Sequence, residues 1–91
     1  MSTTIRIPSL LRTLCGGSST VAVEADTVGN ALFELECRHP GFGERLFDGD
    51  GRLRRHVNVF VDDEDIRHLH GLATTLAADT TISIIPAIAG G

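Results

Sequence analysis

The fold is decided by the stretch at residues 81–91, which reads TISIIPAIAGG. Its first half alternates, with Ile82 and Ile84 on one face, and this period of two predicts a half-buried β-strand over 81–85. Pro86 has no N–H to donate, so we expect it to end the strand ladder and to turn the chain away from the sheet. The residues after it carry no charged side chain and finish on two glycines. Such a narrow, flexible end packs a core poorly but can enter the active site of another protein.

Three further segments show the same strand periodicity. They are Thr3–Pro8, Thr20–Glu24 and His56–Val61, and a glycine-containing turn between the first two suits a hairpin. Each segment places its isoleucines or valines on one face. The predicted core face of the sheet therefore consists of Ile5, Ile7, Val21, Val23, Val57, Val59, Val61, Ile82 and Ile84.

One amphipathic helix is predicted between the second and third strands. Asp26 or Thr27 supplies an N-cap, and apolar residues follow at helical spacing until Pro40 disfavours helix at His39. The apolar stripe consists of Val28, Ala31, Leu32 and Leu35. Phe33 lies off this stripe, so it either packs under a neighbouring loop or stays partly exposed. The order of the main elements is then ββαββ, which favours a mixed sheet packed on one helix.

Shorter elements connect these strands and the helix. Gly41–Phe47 is predicted to form a turn of helix anchored by Leu46 and Phe47. The other predicted segments are a loop at Asp48–Gly51, a charged turn at Asp62–Asp65, a short strand at Ile66–Leu69, and a helical turn or loop with inward leucines at Gly71–Leu76.

Two apolar side chains of the predicted strands fall on the face away from the helix. Phe60 and Ile85 have the opposite parity to the core residues, and no second helix is predicted to cover them. A contiguous apolar pair beside a tail that enters other proteins would be a docking surface. Cover by loops, or a shift in strand register, is the alternative.

Composition narrows the class of function. A chain of 91 residues with 42% hydrophobic and 22% charged residues is typical of one ordinary folded domain. Its net charge of −4 argues against binding to nucleic acid or to an anionic membrane. Cys15 and Cys37 are too few for a disulfide framework and are expected to stay reduced. No run approaches the ~20 apolar residues of a membrane span, and no signal peptide is visible, so a cytoplasmic protein is expected.

No metal site is expected from the clusters of potential ligands. Asp48–Gly51 resembles half of a calcium-binding loop but lacks the glutamate that closes such a site. The acidic run Asp62–Asp65 is better explained as a solvated turn. His68 and His70 would share a face if their segment is a strand, but the histidines form no convincing ligand set. An independent enzyme is therefore disfavoured.

These segments together resemble the ubiquitin-like sulfur carriers of the ThiS and MoaD group. The resemblance covers essentially the whole chain and includes the helix start at residues 26–28. The shared motifs are VNV at 57–59, DEDIR at 63–67, GLAT at 71–74 and IIPAIAGG at 84–91. They are most similar to the actinobacterial branch that serves cysteine biosynthesis. The implied fold is an α+β ubiquitin-like β-grasp, with the domain at 1–86 and a flexible C-terminal tail at 87–91.

The resemblance implies a carrier with no catalytic residue of its own. The carboxylate of Gly91 would be the reactive group. A ubiquitin-activating-type enzyme would adenylate it with ATP and magnesium, and a rhodanese-like sulfur donor would then leave a thiocarboxylate. The tail residues implied to bind in partner active sites are Pro86, Ala87, Ile88, Ala89 and Gly90. Phe60 and Ile85 are the residues expected to dock on the partner.

The same resemblance implies which proteins receive the sulfur. In the cysteine branch the acceptor is a pyridoxal-phosphate cysteine synthase, and a metalloprotease later trims the carrier. Because the cofactor and the metal belong to these partners, the chain itself is expected to hold neither. Ile85 and Ala89 stand where the molybdopterin branch often has an aromatic residue and a serine, which favours the cysteine branch. The alternatives are sulfur donation to molybdopterin or to thiosugar and secondary-metabolite synthesis, a subunit whose tail stays in one enzyme, and a ubiquitin-like modifier of lysines.

Overall fold

The computed structural model describes residues 2–86, which form a β-sheet with helices on one face. The strands are β1 (Ser2–Arg6), β2 (Thr20–Glu24), β3 (Val57–Val61), β4 (Glu64–Asp65) and β5 (Thr81–Pro86). The α-helices are α1 (Val28–Arg38) and α2 (Phe42–Leu46), and 3₁₀ turns lie at Ser9–Cys15, Ile66–His68 and Gly71–Ala73. The predicted α+β class is confirmed, and β4 is an additional strand that the predicted ββαββ order did not contain.

The strand β5 lies in the centre of the sheet, whose order is β2-β1-β5-β3-β4. It pairs in parallel with β1, where Ile5 faces Ile82, and antiparallel with β3, where Val59 faces Ile84. The other two pairings, β1 with β2 and β3 with β4, are antiparallel. The predicted mixed sheet is therefore confirmed, and β5 is the strand that joins its two antiparallel halves.

The predicted core face is confirmed, because all its residues are buried except the half-buried Val61. The stripe of α1 is equally well covered, with Val28, Ala31, Leu32 and Leu35 at most 1% exposed. Thr27 begins this helix by accepting a hydrogen bond from the Asn30 N–H at 3.2 Å, as an N-cap does. Phe33, which lies off the stripe, remains 64% exposed.

The short helix α2 is held in place by the carboxylate of Glu36 from α1. That carboxylate accepts hydrogen bonds from the N–H of Gly43 at 2.6 Å and from the N–H of Gly41 at 3.2 Å. Gly41 has a φ of 118°, a backbone conformation that residues with a side chain rarely adopt. The predicted turn of helix is confirmed. Besides Leu46, its anchor is the fully buried Phe42, which the sequence did not single out, while Phe47 is only partly buried.

The prediction of a short strand at Ile66–Leu69 is wrong. Residues Ile66–His68 form a 3₁₀ turn, and the Arg67 N–H donates to Oδ1 of Asp65 at 2.8 Å. A side-chain acceptor so close in the chain competes with strand pairing and favours a turn. Pairing with β3 occurs instead one step earlier, at β4, within the segment predicted to be a charged turn.

Phe42 and Phe33 test the core assignment as a matched pair. Phe42→Ala should lower the free energy of unfolding by about 3–5 kcal/mol, because it leaves a cavity in place of a fully buried ring. Phe33→Ala removes the same ring from an exposed position and should change that free energy by no more than about 0.5 kcal/mol. Urea denaturation followed by far-UV circular dichroism measures both, and equal losses would contradict the assignment.

Candidate functional site

The predicted tail follows β5, which is the central strand of the sheet. Pro86 lies within β5 opposite Val57, so the prediction that the strand ends before Pro86 is wrong by one residue. The missing N–H removes no bond to β3, because the bond from the Asp62 N–H to the Thr81 carbonyl sets a register in which Val57 and Pro86 are a non-hydrogen-bonded pair. Val57 bonds on its other side. Its N–H donates to the Arg54 carbonyl at 3.0 Å, and its own carbonyl accepts from Nη2 of Arg67 at 2.9 Å. The remaining predicted tail residues, Ala87, Ile88, Ala89, Gly90 and Gly91, lie outside the described residues.

The sheet face away from α1, which we call the outer face, carries the two predicted docking residues. Phe60 faces Ser83 and Asn58 faces Ile85 across the β3–β5 pairing, so Phe60 and Ile85 occupy diagonal positions. Large side chains at such positions are within reach of one another. Phe60 is half-buried and Ile85 is 49% exposed. The predicted strand parity therefore holds for both residues, and their docking role stays a prediction.

We call Ile85 and Pro86 the tail root. Both residues line a groove of about 630 Å³. Its other walls come from the end of β1, the 3₁₀ turn that follows it and the start of β2. The lining includes two arginines, Arg6 and Arg12, and Leu10, which is 69% exposed. Among residues 2–86, none of those that line the groove is acidic. The groove thus combines apolar surface with positive charge where the chain leaves the sheet.

Arg67 fixes the other side of the tail root. Its Nη1 donates to Oδ1 of Asn58 at 2.6 Å, while its Nη2 donates to the Val57 carbonyl. A planar guanidinium can make both bonds at once because its donors have a fixed fork geometry. Since Val57 faces Pro86 and Asn58 faces Ile85, this fork holds the part of β3 that borders the tail root.

The structure also describes two segments with potential metal ligands, namely the Asp48–Gly51 loop and the pair His68 and His70. The Asp48 side chain accepts hydrogen bonds from the N–H groups of Arg52 and Asp50 at 3.1 and 2.9 Å, and these bonds, that of Arg52 first, lower the pKa of its carboxyl. The carboxylate therefore closes a turn, as expected for Asp48–Gly51. His68 and His70 do not share a strand face, because residues 66–68 form a 3₁₀ turn. Over residues 2–86, no three His, Cys, Asp or Glu side chains come together as a metal site.

The two thiols lie in different environments and are both free. Cys15 is buried, and its Sγ lies 3.3 Å from the Ser18 carbonyl and 3.6 Å from the Arg12 carbonyl. Cys37 is exposed on α1. None of the helices described between residues 2 and 86 is long and apolar enough to cross a membrane.

Comparison with known proteins places this arrangement in a family. A model of the ThiS family matches residues 5–91. The chain belongs to the ThiS family. It is 43% identical to the sulfur carrier protein CysO of Mycobacterium tuberculosis over 93 residues, which cover 100% of each protein. This membership agrees with the resemblance of the sequence motifs and supports a carrier of the ThiS type.

Solved structures of family members confirm the ubiquitin-like β-grasp. The chain matches the crystal structure of the Amycolatopsis orientalis BexX/CysO complex with a TM-score of 0.91 at 39% identity, covering 98% of this chain and 99% of that one. It matches the crystal structure of SAMP1 from Haloferax volcanii with a TM-score of 0.85 at 33% identity, covering 100% of both chains. The same fold is therefore found in SAMP1, whose full name is small archaeal modifier protein 1.

Sequence reasoning missed the polar residues around the tail root. Arg6, Arg12 and Arg67 come from three distant parts of the chain, and no local motif connects them. Arg6 did show a signal, because its strand parity places it on the outer face with Phe60 and Ile85. The fork of Arg67 had none, since it depends on a 3₁₀ turn that the sequence did not predict.

The Arg67 fork should contribute measurably to the order of the tail root. Arg67→Ala is expected to lower the free energy of unfolding by about 1–2 kcal/mol, because it leaves the Val57 carbonyl and Asn58 without their donors. Arg67→Lys should restore less than half of the loss, since one ammonium cannot reproduce the fork. Urea denaturation and amide hydrogen exchange in β3 measure the effect. Arg45→Ala, on the exposed face of α2, is the control, and an equal loss there would contradict this role.

Proposed function

We propose that the protein is a sulfur carrier whose reactive group is the carboxylate of Gly91. A partner of the ubiquitin-activating type converts this carboxylate with ATP and magnesium into an acyl-adenylate and releases pyrophosphate. A persulfide sulfur from a rhodanese-like donor then displaces AMP to give an acyl disulfide, and a thiol attacks the donor sulfur of its S–S bond, which releases the thiocarboxylate and leaves a new disulfide on the donor. The thiocarboxylate donates its sulfur to an acceptor enzyme. The chain itself is consumed and regenerated as a co-substrate and contributes no catalytic side chain.

The observation that carries this proposal is the family match, which runs through the two terminal glycines, Gly90 and Gly91. A carboxylate is a poor electrophile until one oxygen becomes part of a good leaving group, and adenylation supplies that leaving group. Glycine at 90 and 91 leaves room for a narrow channel to close around the backbone and permits unusual φ angles. The carrier chemistry therefore needs no more of this chain than an accessible, slender end.

The body of the domain supports the same role. The tail root is the end of the central strand β5, where it pairs with β3. We infer that this pairing fixes Pro86, where the tail begins, so that the tail can bind in a partner channel as an extended peptide. Phe60 and Ile85 lie beside that point on the uncovered outer face and would dock on the partner's surface.

Cysteine biosynthesis is the pathway that we favour. The support is the 43% identity with CysO over the full length of both proteins. The acceptor would be a pyridoxal-phosphate cysteine synthase, and a metalloprotease would remove the added cysteine. Their pyridoxal phosphate and zinc, like the ATP and magnesium of the activating enzyme, would be cofactors of those partners. The chain would work in the cytoplasm, where these partners are expected.

A second candidate function is that of a protein modifier. The relative that favours it is small archaeal modifier protein 3 of Haloferax volcanii, 40% identical over 65 residues that cover 71% of this chain and 70% of the relative. In that case the activated carboxylate would form an amide with lysines of other proteins. Sulfur donation to molybdopterin or thiosugar synthesis would use the same thiocarboxylate with another acceptor.

Intact-mass spectrometry separates these functions. After incubation with ATP, magnesium, a persulfide donor and the activating enzyme of the same organism, a carrier should gain the mass difference between one sulfur and one oxygen atom. Deleting Gly91 should abolish this gain while leaving the thermal unfolding midpoint unchanged, because the fold lies upstream. Full loading of the deletion variant would overturn the proposal. Amide adducts on other proteins would favour the modifier.

The docking role of the outer face has its own test. Phe60→Glu should raise the dissociation constant for the activating enzyme by about tenfold or more, since it puts a charge where an apolar contact is lost. Phe33→Glu, an equally large change on the helical face, is the matched control and should leave binding unchanged. Calorimetric titration measures binding, and circular dichroism checks that both variants fold. Equal dissociation constants for the Phe60 variant and the wild type would remove the outer face from the interface.

A further inference from the structure

The net charge of the chain is −4, but its charged residues are not evenly spread. Acidic residues collect at one end of the sheet and arginines at the other. Strand register identifies the ends, because the start of β5 lies beside the start of β1 and the last residues of β2 and β3. That end carries a set of acidic residues, namely Glu24, Asp62, Asp63, Glu64 and Asp79. The opposite end, at the tail root, carries arginines.

Three arginines surround the tail root, and we call them the basic frame: Arg6, Arg12 and Arg67. Arg6 faces Ser83 across the β1–β5 pairing and therefore sits diagonally to Ile85 on one side. On the other side of Ile85, Asn58 carries the guanidinium of Arg67. Arg12 lines the groove that adjoins Pro86. The exposed Ile85 thus has a positively charged side chain on each side.

The basic frame keeps its charge available for a partner. Arg6 is exposed, and its side chain makes no hydrogen bond or ion pair with any residue of 2–86. Arg12 uses Nε to donate to the Ile7 carbonyl at 3.0 Å, and its terminal nitrogens donate to no other described residue. Arg67 bonds to neutral acceptors, the Asn58 amide and the Val57 and Arg55 carbonyls. No carboxylate neutralises these guanidinium groups within the described chain.

We propose that the basic frame docks on carboxylates that surround the mouth of the channel in which a protein partner receives the tail. This inference rests on the proposed function and adds the chemistry of the partner's surface. A carboxylate rim would attract the tail end of the domain and repel its acidic end, so the domain arrives with residue 86 towards the channel. Exposed Ile85 then makes the apolar contact between the paired charges.

The same arginines could in principle contact the phosphates of a nucleic acid, but the observations favour a protein. The frame has three charges, whereas the chain has an excess of acidic residues that repels a polyanion. The groove also contains the exposed Leu10 and Ile85, which a phosphate backbone cannot use. Apolar surface framed by charge fits the rim of a protein interface.

Charge reversal with a matched control tests the basic frame. Arg6→Glu should slow association with the activating enzyme by roughly tenfold at low salt, and Arg6→Glu with Arg12→Glu by more. Arg45→Glu makes the same change in net charge on α2, outside the basic frame, and should change the rate less than about twofold. At about 1 M NaCl, where the Debye length is about 3 Å, the variants should differ little. Stopped-flow fluorescence measures the association rates.

The outcomes separate this inference from the function on which it rests. If the wild type loads no sulfur, both fail. If the wild type loads sulfur but Arg6→Glu associates as fast as Arg45→Glu at low salt, the basic frame is overturned and the carrier function stands. A single-stranded RNA oligonucleotide serves as the competing probe. Loss of RNA binding in Arg6→Glu, with unchanged association to the enzyme, would also overturn the proposal.

Discussion

The pairing of β5 with β1 and β3 is the interaction on which the rest of the structure depends. On one side stands the β1–β2 pair and on the other the β3–β4 pair, and between them the sheet is continuous only through β5. Ile82 and Ile84 bring the buried side of this strand under α1, where both are at most 3% exposed. Because the parallel β1–β5 contact joins residues far apart in the chain, it closes a long loop and requires the whole domain.

That pairing also relates the fold to function. The strand that completes the core is the one from which the tail begins, and its pairing with β3 continues through the tail root. Val57 and Pro86 face each other as a non-hydrogen-bonded pair, and the backbone groups of Val57 bond away from β5, to Arg54 and Arg67. Proline is thus accepted at this position because it removes no ladder bond to β3.

The one-sided covering of the sheet determines where partners can bind. Both helices pack on the core face, so the outer face keeps Ile85 about half exposed beside the tail root. Around it the arginines provide charge, and the acidic residues lie at the far end of the sheet. In the proposed function the domain presents the tail to partner proteins. It contributes recognition and orientation, while adenylation and sulfur transfer take place in the active sites of other proteins.

The sequence by itself determined the strand parity, the helix stripe and the family. Alternation at 20–24 and 57–61 and the spacing of Val28, Ala31, Leu32 and Leu35 were enough, because burial of one face imposes a period on the chain. The motifs up to Gly91 were enough for the reactive end to be proposed. Only the tertiary structure decided the central place of β5, the 3₁₀ turn at 66–68 and the grouping of Arg6, Arg12 and Arg67. These depend on hydrogen bonds and strand pairings between distant residues, and such pairings leave no periodic signal along the chain.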